Sequence, residues 1–244
     1  MNQSSIGIAS RLFHVKQSIA DAARACTRSS DAIRLIAVSK GHSKTAIAQA
    51  IAANQKDFGE STTQESLPKI SQLANPSIDW HFIGHLQTNK AKFIPGNFSW
   101  LHSLDSFDLA RKLSRHAGER SASINILIEV NTTREQQKHG VAPEKLFDFI
   151  DQLLKADLPA LSLRGLMTIG PHDAPEKEIR ACFANLRQLR DDCQQRFSLK
   201  NFTELSMGMS SDYVEAIKEG ATLVRVGTAI FGEREQGAGP HESF

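Results

Sequence analysis

Apolar residues along this chain follow two alternating periods. Near the start, Ile8, Leu12, Val15 and Ile19 fall at helical spacing, which predicts an opening amphipathic helix. From there to the end, short β-branched runs alternate with longer helical patterns. The runs predict strands over 35–39, 57–60, 80–84, 100–104, 124–130, 163–169, 204–207 and 223–226. Helical patterns over 44–53, 107–117, 144–156, 176–195 and 212–219 lie between them, each too long for a hairpin connection, so the strands are expected to be parallel. The run at 57–60, DFGE, is short and polar and owes its place partly to position.

An open doubly wound sheet shows the same local alternation, but eight strands in about 200 residues favour an α/β fold of the single (β/α)8, TIM-type barrel with one extra N-terminal helix. Residues 1–244 are read as one domain, with a frayed tail at about 235–244, EQGAGPHESF.

In such a barrel the chemistry collects where strands pass into the following loops. Those positions include Lys40, Glu60, Ser61, His81 to Gln87, Ser103, Asp105 and Asn131. The last two units are more specific. LSMGMSSDYVEAIKEG and VRVGTAIFG each place Gly beside Ser or Thr at a strand-to-helix turn, with Ser210 or Ser211 resembling a helix N-cap. Barrel loops after strands seven and eight frequently hold phosphate through backbone N–H groups and the positive end of a short helix. Ser206, Gly208, Ser210, Gly227 and Thr228 are therefore candidates for such a cradle. Arg225 stands in an apolar strand with the parity of Gly227, and a buried arginine needs a partner. Glu129 and a polar atom of a bound ligand both qualify.

Strand one of a closed barrel neighbours strand eight, so Lys40 at the end of RLIAVSK enters the same mouth. A strand-end lysine is ordinarily a solvated charge. Beside a phosphate cradle and a buried arginine, however, a partly desolvated amine is the nucleophile that attacks an aldehyde. Pyridoxal 5′-phosphate (PLP) carries both groups. A phosphosugar held by an aldolase-like lysine satisfies the same pattern, and spacing does not choose between them.

Composition narrows the function classes. Hydrophobic residues make up 40% and charged residues 23%, as in ordinary globular domains. The 29 basic and 27 acidic residues leave a formal charge of +2 with no dense basic run, so nucleic-acid binding is not expected. Cys26, Cys182 and Cys193 are odd in number and lack metal-ligand spacing, which fits a reducing cytoplasm. No signal-peptide core or membrane-spanning run is read from the sequence, so no membrane partner is expected. His81 and His85 bracket FIG on a strand, where four residues separate them by more than about 10 Å, so no metal is expected at this pair.

AVSK, FGE, DWHFIGHLQTNK, SLDS, EVNTTREQQKHG, GLMTIG, ELSMGMSSDYVEAIKEG and VRVGTAIFGER, in order across residues 34–234, resemble the pyridoxal-phosphate homeostasis protein family. The resemblance implies a barrel like the N-terminal domain of bacterial alanine racemase, with Lys40 holding PLP as an internal aldimine. It implies that Ser206 to Ser210, Gly227 and Thr228 surround the phosphate and that Arg225 faces the pyridine nitrogen, and it adds Ser61, His81 and Met167 as cofactor neighbours. Lys138 resembles a position linked to a second cofactor contact, and a solvated loop lysine is the equal alternative. Where the family usually reads GEN, this chain has Gly59-Glu60-Ser61, followed by Thr62 and Thr63 in place of a frequent aromatic and aliphatic pair. The Asn contact beside the ring thus falls to a shorter hydroxyl, to water, or to a looser wall.

A racemase using PLP needs a base on each face of the substrate, and this chain's one tyrosine, Tyr213, lies in the helix after the phosphate turn. There is no room after residue 232 for the β domain of the classical racemase, and an arginine at the pyridine nitrogen opposes ring protonation. The resemblance therefore implies a carrier or buffer in vitamin B6 homeostasis with little catalysis and PLP-dependent apoenzymes as recipients; with no second domain to contribute to a shared site, a monomer is expected. A PLP-dependent amino-acid racemase, and a phosphometabolite-binding barrel with no covalent adduct, are the alternatives.

Overall fold

A computed structural model describes residues 7–133, 135 and 137–233. Eight parallel strands close into a barrel in sequence order: β1 (Arg34–Val38), β2 (Asp57–Glu60), β3 (Asp79–Phe82), β4 (Trp100–Leu104), β5 (Ile124–Glu129), β6 (Leu161–Met167), β7 (Glu204–Ser206) and β8 (Leu223–Val226), with β8 paired back to β1. Each predicted strand is present, with no end displaced by more than two residues. The predicted tail at 235–244 lies outside the described residues.

The polar run DFGE is a strand because of what its two faces meet. Phe58 is fully buried on the helix side, while Gly59 faces the interior, where a Cβ would lie 3.0 Å from Ile36 Cγ2 and 3.1 Å from Ile83 Cδ1. The other face therefore has no room for the β-branched residue that marks a strand.

The outer ring comprises α2 (Lys44–Ala52), α3 (Thr63–Leu73), α4 (Phe107–Gly118), α5 (Leu146–Lys155), α6 (Glu176–Phe197), α7 (Tyr213–Lys218) and α8 (Thr228–Phe231), with a 3-10 segment, Thr88–Phe93, after β3. Ahead of the barrel runs α1 (Ile8–Ala25), whose Ile8, Leu12, Val15 and Ile19 are all buried, as their spacing predicts. Two arginines fasten it to the last helices: Arg11 Nε donates to Ile230 O at 2.6 Å, and Arg28 donates to Ile217 O and Ala221 O, both at 2.7 Å. Arg11 thereby satisfies a carbonyl in the last turn of α8, where a helix end leaves acceptors without intrahelical partners.

Most apolar burial lies between sheet and helices, but the barrel has its own plug of Ile36, Trp100, Leu127, Met167 and Leu223. Arg34 caps this plug, its guanidinium 5.3 Å from the centre of the Trp100 ring. Around the plug the interior is polar. Among the described residues no helix is long and apolar enough to cross a membrane.

Candidate functional site

Lys40 lies two residues beyond β1, half-buried, with the parity of the interior residues Ile36 and Val38. Its backbone is held from α3. Lys69 Nζ donates to Ser39 O at 2.9 Å and to Glu60 Oε1 at 3.0 Å, and it also meets Glu65 Oε1 at 2.6 Å. Glu65 Oε1 accepts from Gly41 N at 2.6 Å, and Ser39 Oγ donates to Glu60 Oε1 at 2.6 Å. Gly41 takes the left-handed φ of 76° that this turn needs. Burial raises the Glu60 carboxyl above its ordinary range, opposed by Lys69.

The two glycine turns abut, as the phosphate reading requires. Gly227 N donates to Ser210 Oγ at 3.3 Å, and Arg225 N donates to Gly208 O at 2.9 Å. Gly208 has φ 92°, and a Cβ there would stand 2.6 Å from Ala216 Cβ and 2.8 Å from Tyr213 Cα. At Gly227 a Cβ would lie 3.2 Å from Val38 O, so β1 and the second turn touch two residues before Lys40. The expected N-cap at Ser210 or Ser211 is corrected: Asp212 occupies that position before α7, its Oδ1 accepting from Met209 N at 2.6 Å. Ser210 instead bridges the turns. Thr228 begins α8, a single turn of helix.

Arg225 is buried but makes no ion pair with Glu129. Its Nη1 donates to Ser206 Oγ at 2.6 Å and its Nη2 to Thr168 O at 2.9 Å. Burial lowers its pKa to about 10, while the fields of Asp212 and Glu129 act the other way, so it is cationic at neutral pH. Ser206 is correspondingly an interior residue whose hydroxyl serves Arg225 and not the phosphate turn directly.

From Ser206 a single file of hydrogen bonds continues: His102 Nδ1 at 2.9 Å, His102 Nε2 to His81 Nδ1 at 3.0 Å, and His81 Nε2 to Asp57 Oδ1 at 3.1 Å. Arginine only donates and a carboxylate only accepts, so with singly protonated rings one proton arrangement satisfies every link. Ser206 O–H donates to His102 Nδ1, His102 Nε2–H to His81 Nδ1, and His81 Nε2–H to Asp57. Both rings are then neutral, in keeping with pKa values that burial pushes below the ordinary imidazole range, His102 well below. His81 is thus placed inside the barrel and stacked on Trp100, not in its mouth as expected. Met167 belongs to the apolar plug.

Ser61 lies beyond β2 against Gly84, where a Cβ would come within 2.3 Å of Ser61 O. Its hydroxyl is buried and has no hydrogen-bond partner. The far side of the mouth holds a cavity of about 40 Å³ lined by Glu129, Lys138, His85, His139 and Asn131. Lys138 is no solvated loop lysine: Nζ meets Glu135 Oε1 at 2.5 Å and Gly170 O at 3.3 Å. Burial first, and then Asp105, raise Glu129 to about 7. His85 finds its neighbours across loops, since ligand atoms of His85, Asp105 and His139 lie within 4.8 Å of one another, with the two rings stacked at 3.8 Å.

The sequence reading did not single out His102, Thr168, Lys69 or Glu65. His102 shares the parity of Trp100 in WLHSL, the one available signal. The others act through a neighbouring strand or helix and carry no local mark.

The sequence profile of the alanine racemase N-terminal domain matches residues 14–235. A pyridoxal phosphate homeostasis protein of Pseudomonas aeruginosa is 41% identical over 231 residues, 95% of this chain and 97% of that protein. One from Vibrio cholerae is 38% identical over 227 residues, 91% and 94% respectively. Among solved structures, PipY of Synechococcus elongatus with PLP bound superposes with a TM-score of 0.81 at 38% identity, covering 92% of this chain and all of that one. The alanine racemase of Clostridium difficile, at 15% identity and a TM-score of 0.71, shares the fold, this chain spanning 56% of it.

Proposed function

The chain belongs to the pyridoxal phosphate homeostasis protein family, and from that premise we propose that it binds PLP covalently through Lys40 and serves as a carrier or buffer of the cofactor. PLP supplies an aldehyde that condenses with a primary amine and a pyridine ring that draws electrons. The turns at Gly208–Ser210 and Gly227–Thr228 would receive the phosphate, Arg225 the ring nitrogen, and Ser61 a polar atom beside the ring. Two features of this chain support the fit: the partnerless buried hydroxyl of Ser61, and turns too close to their neighbours for any side chain larger than hydrogen at Gly208.

The observation that carries the reading is the contact between Gly227 and Val38, which sets the Lys40 loop beside the joined turns. A cationic guanidinium at the ring nitrogen disfavours its protonation and so weakens the ring as an electron sink. Holding the cofactor is favoured over turning substrates over. The carrier works as a monomer in the cytoplasm and passes PLP to PLP-dependent apoenzymes.

The test is an absorbance spectrum of the purified protein incubated with PLP, followed by borohydride reduction and peptide mapping. A reduced adduct on Lys40, absent in Lys40→Ala with the fold retained, is the expected result. A colourless protein with no adduct on Lys40 would overturn the proposal.

One observation favours a second reading, a PLP-dependent racemase-like enzyme. Glu129 is a carboxyl that titrates near neutrality on the wall of the mouth cavity, as an acid–base group would. Tyr213 is not poised for that role, since its hydroxyl donates to Ser18 of α1 at 2.9 Å. Sustained exchange of an amino-acid α-proton in deuterated water, lost in Glu129→Gln, would decide for the enzyme.

A further inference from the structure

Arg225 is a buried cation without an ion-pair partner among the described residues, so something else fixes its position and balances its charge. Glu129 and Asp212 act on it only through space. A continuous bonded route from the guanidinium to a carboxylate runs through Ser206, His102 and His81 to Asp57. Asp57 is the first residue of β2, at the opposite end of the barrel from the strand-to-helix turns, where Arg34 lies 3.6 Å from it.

We propose that Asp57, His81, His102 and Ser206 are positioning residues for Arg225, a relay polarised in one direction that holds the guanidinium at the cofactor's ring nitrogen and answers its charge from the barrel floor. The part concerning the ring nitrogen rests on the function proposed above; the relay itself does not. Its direction follows from chemistry at its ends. Reversing His81 would leave a bare ring nitrogen facing Asp57, reversing His102 would set two bare ring nitrogens face to face, and mending either would require a second proton on a ring buried beside Arg34 and Arg225. Asp57 and Asp79 are the acidic groups that act on His81, and burial outweighs them. No acidic group raises His102. Neutral rings in one tautomer therefore conduct polarisation without carrying net charge, and the rings are fixed by packing, His81 on Trp100 at 5.5 Å. A merely structural histidine pair would tolerate either tautomer.

Nitrogen-15 NMR of the imidazoles, on the chain without added PLP, tests the relay directly. His81 and His102 are expected as single Nε2–H tautomers that do not titrate near the ordinary imidazole value of 6.5. Tautomer averaging, or titration at that value, would overturn the proposal. In Ser206→Ala the Arg225 side-chain N–H groups should exchange with solvent faster, and Ser206→Thr, which keeps the hydroxyl, should restore the parent rate; unchanged exchange in Ser206→Ala would count against it.

With PLP, Ser206→Ala should still form the Lys40 adduct but dissociate the cofactor on the order of tenfold more readily, the loss of one charge-assisted hydrogen bond. Asp57→Asn, far from the cofactor, should shift the pH dependence of the bound chromophore. A parent protein that forms no adduct would defeat the function reading while leaving the imidazole result to stand or fall alone. Adduct formation with identical spectra in parent and Asp57→Asn would defeat the relay.

Discussion

Lys69 Nζ lies 3.0 Å from Glu60 Oε1, and this pair joins α3 to the end of β2 directly under the Lys40 loop. Glu60 is fully buried, and Lys69, itself only 11% exposed, is its main compensation for lost water. Removing Lys69 strands the carboxyl, whereas removing Glu60 leaves Lys69 its pair with Glu65. Lys69→Met is expected to cost about 3 kcal/mol or more, and Lys69→Met with Glu60→Gln distinctly less than the sum of the single changes. Urea unfolding of the four members of this cycle measures the difference.

Glu129 gives a pH dependence of known sign. Its carboxyl is raised from 4.5 to about 7 in the folded chain, so folding favours the neutral form. That contribution is complete below pH 4.5 and is lost as pH rises through about 7. Glu129→Gln, which stays neutral, should match the parent at low pH and exceed its stability above neutrality by up to about 3 kcal/mol. Denaturation midpoints from pH 4 to 8 would show a gap that opens across this window; a constant gap would refute the assignment.

The two turn glycines should respond differently to alanine. Gly208→Ala faces both a left-handed φ and backbone 2.8 Å away, and should lose about 2 kcal/mol or more together with most PLP uptake. At Gly227 φ is negative and the nearest atom, Val38 O, is 3.2 Å away and need yield only a few tenths of an ångström, so Gly227→Ala should cost less than Gly208→Ala, about 1 kcal/mol. Thermal melts and adduct yield measure both.

Ser61→Ala separates stability from binding. Deleting a buried hydroxyl that has no partner should leave the PLP-free chain as stable as the parent or more so, by about 1 kcal/mol. The same change should speed PLP release. A stability loss without a change in release would show that the hydroxyl serves the fold alone.

Strand periodicity and the parity of Arg225 made the barrel and its lysine, arginine and glycine turns legible, because each depends on one strand and the residues just beyond it. Charge points to Glu129 as the partner of Arg225, yet Ser206 fills that place: β8 pairs with β7 through Leu223 and Ser206, a register that strand periodicity does not encode. His81 shows the same limit, since its partners Asp57 and His102 come from β2 and β4. Serine before a helix ordinarily reads as a cap, but here Asp212, two residues on, holds the N-cap position with its carboxylate turned back to Met209 N, and Ser210 bonds Gly227.

The bonds from Arg11 to Ile230 and Phe231 join residues about as far apart in sequence as this chain allows. Contacts of such separation form late in folding, because closing a long loop precedes any reward from the contact. The β1–β8 seam that brings Gly227 to Val38 has the same long-range character. Both phosphate turns should therefore acquire their shape in the last phase, and in pulsed hydrogen exchange the amides of Arg225 and Gly227 should be protected after those of β4 to β6. A nascent or partly folded chain would then have no grip on the cofactor, and capture would report that the barrel has closed.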